Sequence, residues 1–596
     1  MNPNHRIHRD RLFRAVQHYR DKLKPFRGTR LELIRDWCGP FYGAEDKTLG
    51  IIANFMKQTA DAYAQSLAAN CPRIFTETTY DELLGFAAHY AANMNALLFE
   101  IHFGETLREI ANDAFVGLGI CKLHLADSPY IEVEEDVWSA PGSPFASRIS
   151  FDKWFHDTNT ADFRKVQMAG DGYRVDFDSL RDSDVYDQKV VKRLKPTSKS
   201  GNALPEERAQ DIATGVDTDD DEYRSMIDLM DIWLPRERQV ITFACTPGME
   251  GLDQDPLCVR DWDGADTGPY RLLNFGQVPD NIMPSSPAAN IKRLNDITNS
   301  MLRKQNRGAK AQRDIPIYEP DSADDAKRLE KAEYGRWTMV KRKEGVGVLK
   351  LGGVDQANMV FNQSIQNLLD RMAGNLKAKA GLGSQADTAT QEGMIAGEVA
   401  QAEGFMVNRM MEFVEFCVRD LGDLLWDHPT KIINTSIEVP GLRKRVPSNW
   451  NALEGMEPGF RLGERYDYNL RINPYSLAYR SASQRASELR SLCGELAQLL
   501  PMMQQAGANA AEYVSMIAEL YDQPALRRIF PADQTPGRYP PPMDEAPKAG
   551  TFGKPNGNYT RKSVGSGVDQ SNTNAMLPAM MSGMGQQAGG MMVGAQ

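Results

Sequence analysis

Between residues 387 and 428, apolar side chains recur at alternating steps of three and four: Ile395, Val399, Ala402, Met406, Met410, Phe413, Cys417, Leu421 and Leu424. That period lines one face of an α-helix. A second row, Val407, Met411, Val414, Val418 and Leu425, lies close beside it. The apolar surface is wider than one packing stripe, which predicts a helix covered on more than one side. A helix over 390–428 would be on the order of 60 Å long. Gly393, Gly397 and Gly404 fall in its first half, each costing roughly 1 kcal/mol against alanine. They predict a bend or a close packing contact there. Pro429 stops the helix. The residues before it, 377–390, are small and polar with Gly381 and Gly383, and read as a mobile loop feeding the helix.

The first 118 residues read as helical. Ile52, Phe55, Met56, Thr59 and Tyr63 fall at helical spacing, and so do Leu83, Leu84, Ala87, Ala91, Met94 and Leu98. The second pattern extends through Leu107, Ile110 and Phe115 to Gly117 and Gly119. The period then changes. ICKLHLAD alternates, with Cys121, Leu123 and Leu125 on one face, and YIEVEEDVW reads as a second strand. Short strands and turns follow around Trp154 and Phe155. Residues 197–222 are polar and read as an exposed insertion. DIWLPRERQVITFACTPG returns to strand, the stretch 248–267 reads as a loop, and YRLLNF as another strand.

Ser286 can cap a helix whose first residue is Pro287. Ile291, Leu294, Ile297 and Met301 form its stripe, and Arg303, Lys304, Arg307, Lys310 and Arg313 make its end basic, which suits the helix dipole. Residues 315–351 form a compact insert in which IPIYEP and WTMVKRK are expected as strands around a short helix, with GVGVLKLGG as a hairpin edge or turn. A helix over 360–375 carries Phe361, Ile365, Leu368, Leu369 and Met372. After the long helix, IINTSIEV and YDYNLRI read as strands. A capping box from Ser481 to Gln484 opens a further helix with Ala486, Leu489, Cys493, Leu496 and Leu500, and another helix covers 508–521. From Ala532 the chain is rich in Pro, Gly, Asn and Met and reads as a mobile tail.

With 596 residues the chain exceeds one core. No apolar run approaches the roughly 20 residues that span a bilayer, and no apolar stretch follows the basic N-terminus, so neither a membrane span nor a signal peptide is expected. The seven cysteines are scattered without a CxxC pair, which points to reduced thiols in a protein assembled in cytoplasm. A net charge of −11 disfavours tight nucleic-acid binding but suits a surface that DNA slides past. DTDDDE at 217–222 starts like an EF-hand loop, but the sixth place is Glu222 and the twelfth Asp228, so it reads as solvated. GVG at 345–347 is too little for a phosphate cradle, and neither GxxxxGK[ST], HExxH nor GxSxG occurs. His89, between the apolar positions of a helix, reads as packed or surface-exposed rather than as a ligand. No catalytic constellation is found and no cofactor or metal is implied.

The order of these stretches resembles the portal (head-to-tail connector) protein of a tailed bacteriophage over about residues 45–535. A helix ends in FVGLGICKLHL, then come DIWLPRERQVITF, the capped helix PSSPAANIKRLND, the compact insert, a second helix and DTATQEGM leading into the very long helix. The resemblance implies an α+β, mostly helical, portal-like architecture with wing, stem, clip and crown that assembles into a ring. By position, 1–284 would be N-terminal helices and mixed α/β wing, and 285–313 and 356–376 the two stem helices. Residues 314–355 would be the clip, 377–391 the tunnel loop, 392–480 the long wing helix with return strands, 481–531 the crown and 532–596 a low-complexity tail. It implies a ring of about twelve subunits, closed head to tail, at the portal vertex of a virion assembled in the host cytoplasm. The ring would admit dsDNA during terminase-driven packaging, release it on ejection and anchor the tail. Partners would be terminase, the major capsid protein, scaffolding protein and a tail adaptor.

Lys377, Lys379, Gly381, Gly383 and Gln385 of the tunnel loop, and Arg303, Lys304, Arg307 and Lys310 of the stem, are the expected DNA-facing residues. A different virion structural protein, such as an internal core or tail-adaptor subunit, is the alternative. A metal-dependent hydrolase is a further one, against which the missing constellation counts.

Overall fold

A computed structural model describes residues 9–38, 53–195, 225–245, 255–332, 337–372, 389–427, 433–450 and 462–505 with brief interruptions, and positions 513, 514, 517, 518 and 526. The expected tunnel loop 377–391 lies outside the described residues up to 388, and its last three residues already belong to the long helix; the expected insertion 197–222 and the tail from 532 also lie outside the described residues.

The fold is α+β. Helices α1 (Arg9–Cys38), α2 (Phe55–Leu67), α3 (Leu84–Glu100) and α4 (Phe103–Val116) supply the N-terminal region. The apolar pattern from Leu83 to Phe115 reads as one helix, but His102 sits in the left-handed region at φ 53° and splits it into α3 and α4. That conformation interrupts a right-handed helix, and the redirected α4 still buries Leu107, Ile110 and Phe115. The region is also not purely helical. Strand β1 (Ile74–Thr78) pairs antiparallel with Tyr468–Ile472, the strand numbered β16 below.

ICKLHLAD forms β2 (Gly119–Ala126). YIEVEEDVW is a hairpin, β3 (Ile131–Glu134) and β4 (Val137–Ser139), rather than one strand. Then follow β5 (Ser143–Arg148), β6 (Trp154–His156), β7 (Ala169–Asp176), α5 (Phe177–Asp182) and α6 (Gln188–Val191). DIWLPRERQVITF gives β8 (Met226–Leu234) and β9 (Gln239–Ala244). The expected loop 248–267 contains a further strand, β10 (Cys258–Asp261), and β11 (Tyr270–Leu273) follows. Two antiparallel sheets result, ordered β10-β9-β8-β7-β6 and β11-β2-β5. Strands β8 and β9 are buried on both faces. Leu12, Val16, Tyr19 and Leu23 of α1 share one core with them, and Leu180, Val190 and Val191 of α5 and α6 another.

Ser286 caps α7 (Pro287–Lys310), its hydroxyl accepting from the Ala289 amide at 3.1 Å, with Pro287 at the first position. In the insert, β12 (Arg313–Tyr318) pairs with β13 (Val346–Leu351), and α8 (Ala323–Glu330) lies between them in the chain. WTMVKRK is not the partner strand. Residues 337–340 are irregular, and the Lys341 amide is taken by Asp325 at 2.8 Å instead. Helix α9 (Gln356–Met372) runs back along α7: Asn358 meets Lys304 and Gln305 at one end, and Leu369 joins Ala288 and Ile291 in the core at the other.

The long helix is α10 (Ala389–Asp427). Both predicted rows are covered from Met406 onward: Met410, Phe413, Val414, Cys417, Val418, Leu421 and Leu425 are buried. They pack against the strands β2, β5, β11 and β16 and share one core with α3 and α4. Next come β14 (Ile433–Val439), its partner β15 (Lys444–Trp450), then β16 (Tyr468–Ile472) and α11 (Ala482–Gln505). Ser481, the expected cap of α11, lies outside the described residues. Helix α11 forms a small separate core with Val514, Ala518 and Leu526. No helix among the described residues is long and apolar enough to cross a membrane.

Candidate functional site

Helix α7 is rooted in the molecule and bare at its tip. Ala288, Ile291, Asn295, Thr298 and Asn299 are buried, and no residue of the helix beyond Asn299 is. The root is held by polar contacts as well. Asn299 accepts from the Ala53 amide at 2.9 Å and donates to the Ala53 carbonyl at 3.0 Å. Lys292 pairs with Asp36 of α1 at 2.5 Å. Beyond the root, Arg303, Lys304, Arg307 and Lys310 are all exposed. Arg303, Arg307 and Lys310 follow one helical face, and Lys304 reaches Asn358 of α9 at 3.5 Å. Of the expected DNA-facing residues, these four lie together on one helix. Lys377, Lys379, Gly381, Gly383 and Gln385 lie outside the described residues.

The apolar stripes of the two helices differ from the sequence expectation in what covers them. Ile291 is buried but Ile297 is exposed, and on α9 Ile365 and Leu369 are buried while Phe361 and Leu368 are not. The insert is barer still. Ile315, Ile317, Val348 and Leu349 are exposed on its two strands, and Trp337 and Met339 stand almost wholly in solvent. More than half of the large apolar side chains exposed among the described residues fall between Ile297 and Leu368. A two-stranded ribbon with uncovered faces is marginal by itself.

A second cluster carries no sequence motif. Lys122 on β2 projects between Asp171 on β7 and Asp231 on β8, at 2.8 and 2.7 Å. All three are buried. Tyr270 donates to Asp171 at 2.5 Å, and Thr242 and Tyr173 donate to Asp231 at 2.7 and 3.1 Å. The Arg260 guanidinium lies 3.9 Å from Asp231. Burial lowers the Lys122 pKa, but the two carboxylates outweigh it and hold the ammonium at about 12. Burial and the neighbouring Asp231 push the Asp171 acid up, whereas Lys122 and its hydrogen bonds carry Asp231 down despite burial. Two carboxylates around one cation do not ionise independently. A signal was available: lysine and aspartate inside the apolar runs ICKLHL and MIDLMDIWL need partners, because an isolated buried charge is very costly.

Other buried ion pairs fasten elements together. Asp113 of α4 takes Arg30 of α1 at 3.2 Å and Arg148 of β5 at 2.5 Å, and Arg30 also reaches Asp152 at 2.6 Å. Asp228, the last place of the EF-hand-like stretch, is a β8 residue paired with Arg174 at 2.9 Å. His89 is packed, stacking on Trp450. A surface cleft of about 690 Å³ between β11 and α10 contains Arg164, Arg271 and Arg409. Each faces a carboxylate, Asp162, Asp420 and Glu412 respectively. Among the described residues no group of His, Cys, Asp and Glu is placed to hold a metal ion.

His156 gives the fold an acid sensitivity. It is 1% exposed, and its Nδ1 lies 3.0 Å from the indole nitrogen of Trp154, an N–H donor, so Nδ1 is the unprotonated acceptor. Burial lowers its pKa from 6.5 to about 4, with Arg27 adding to the shift against Asp157. A depressed folded value means the contribution is complete above 6.5 and is lost as pH falls through 4. The loss reaches roughly 3 kcal/mol. His156→Gln, which cannot take up the proton, should flatten the fall in unfolding midpoint between pH 6.5 and 4.5, measured by urea titration at each pH. An unchanged slope would remove His156 as the cause.

No protein-family model matches the chain, and no curated protein matches it.

Proposed function

We propose that this chain is the subunit of a ring-shaped DNA conduit, the portal protein of a tailed bacteriophage. In this reading α7 and α9 are the stem, the β12–α8–β13 insert is the clip that meets the packaging motor and later the tail adaptor, and α10 with the sheets forms the wing. The observation that carries the reading is the bare apolar surface of α7, the insert and α9, from Ile297 to Leu368. One subunit leaves these side chains in water, and identical neighbours placed head to tail would cover them and close a cycle. The basic tip of α7 gives each subunit a few positive side chains on an otherwise acidic chain of net charge −11. That balance suits DNA held loosely, since each phosphate neutralised adds affinity and hinders sliding. Lys377 and Lys379 would add a second basic belt.

Purified protein should scatter light as an assembly of about twelve chains and give rings with a central hole in negative stain. Val360→Asp with Phe361→Asp should disperse the ring while leaving the folded subunit intact. A mass of one or two chains at micromolar concentration for the parent would overturn the reading.

A further inference from the structure

The Lys122 centre holds more than an ion-pair lock requires. Its nitrogen touches two carboxylates from adjacent strands, 2.8 Å from Asp171 Oδ1 and 2.7 Å from Asp231 Oδ2. Both acids are fully buried. The aromatic rings of Tyr173 and Tyr270 flank the ammonium at 5.0 and 5.8 Å. The two acids are not equivalent. Asp231 is satisfied on both oxygens, by Lys122 on one and by Thr242 and Tyr173 on the other. Asp171 takes Lys122 and Tyr270 on Oδ1, while its buried Oδ2 finds no hydrogen-bond partner among the described residues. An ionised carboxylate with a bare buried oxygen is costly, and the protonated acid suits that position better. The arrangement is thus an amine, a carboxylic acid against it and a separate carboxylate to carry protons, in a site closed to water.

We propose that Lys122 and Asp171 condense into an intramolecular isopeptide bond, with Asp231 carrying the protons. The step needs no co-reactant. Lys122 passes one proton to Asp231 along the 2.7 Å contact. The transfer runs uphill, because the same contacts hold Lys122 as the ammonium and carry Asp231 down; exclusion of water narrows that gap without removing it. The free amine then attacks the carboxyl carbon of Asp171, whose Oδ1 is polarised by the Tyr270 hydroxyl. A C–N bond forms, the C–OH bond of Asp171 breaks, and the departing hydroxyl takes a second proton that originates on the nitrogen. The products are an amide N–H, one water and Asp231 as a neutral acid. The starting ammonium, acid and carboxylate carry the same protons and the same zero charge. Fixed orientation replaces a bimolecular encounter, and the dry site disfavours hydrolysis of the product. The bond would tie β2 of the three-stranded sheet covalently to β7 of the five-stranded sheet.

The test is the intact mass of the denatured full-length chain, followed by peptide mapping. The expected result is a chain lighter by one water, resistance to trypsin at Lys122 and a branched peptide joining the Lys122 and Asp171 segments. Lys122→Arg and Asp231→Asn should each restore the full sequence mass. A parent chain at full mass would overturn the proposal and leave an ion pair. Asp171 precedes Gly172, so a water loss that persists in Lys122→Arg would mean a succinimide at Asp171 and would overturn it as well.

Discussion

With Lys122 and Asp171 uncondensed in the parent, Lys122→Met should destabilise the folded chain by about 3–5 kcal/mol, the range for removing one partner of a buried ion pair; in a condensed parent the lost cross-link adds to that loss. Methionine fills similar volume, so the loss is electrostatic rather than a cavity. Asp171 and Asp231 would then face each other with Arg260 as the nearest guanidinium, 3.9 Å from Asp231. One acid must take up a proton or the two strands must part. The loss should therefore shrink as pH falls and the carboxylates protonate, opposite to the parent, in which His156 weakens the fold in acid. The measurement is the urea midpoint of the single variant against a triple variant that also carries Asp171→Asn and Asp231→Asn. The triple variant should be clearly more stable than the single one, because it leaves no uncompensated buried charge. Equal midpoints would mean that water reaches the centre and that the pair contributes little.

The contrast between this centre and the long helix shows what periodicity carries. Helix α10 was legible because its burial repeats at a local period: Met410, Val414, Cys417 and Leu421 declare one face without reference to any other segment. Ser286 and Pro287 declare the start of α7 in the same local way. The pairing of β1 with β16 is not local. Nothing in IFTET names YNLRI as its partner, so β1 disappeared into a helical region. His102 adopts a left-handed angle that histidine does not advertise, so α3 and α4 read as one helix. Phe361 and Leu368 illustrate a different limit. Spacing says which side chains share a face of α9, but not whether anything within the chain covers that face. The Lys122 centre draws on six strands, β2 and β7 to β11, and only the charges lodged in apolar runs pointed to it. The lysines of the expected tunnel loop lie outside the described residues, and their role rests on the family resemblance.

Gly422→Val should lower the unfolding midpoint, whereas Gly404→Ala in the same helix should raise it slightly. The sequence expectation put the close contact of α10 in its first half, at Gly393, Gly397 or Gly404. The side-chain surroundings of Gly393 and Gly397 lie outside the described residues, and a Cβ on Gly404 would meet nothing within 4 Å. The tight position is Gly422, where a Cβ would overlap Leu470 Cδ1 and stand 2.6 Å from the Tyr90 hydroxyl oxygen. Neither neighbour has room to retreat. Leu470 sits on β16 in the central core, and Tyr90 is wedged against Trp426, Trp450 and Tyr468 at ring separations of 5.5 to 6.1 Å. Valine adds two methyl groups beyond the Cβ, and overpacking of that kind costs about 1–3 kcal/mol. Leaving glycine returns well under roughly 1 kcal/mol here, because β-branched valine is itself a poorer helix former than alanine, so the net change at 422 remains unfavourable. At Gly404 the change meets no clash, and Ala should stabilise by up to about 1 kcal/mol. Urea midpoints of the two single variants decide the matter. A Gly422→Val chain as stable as the parent would show that α10 can move off β16 and Tyr90 at no cost.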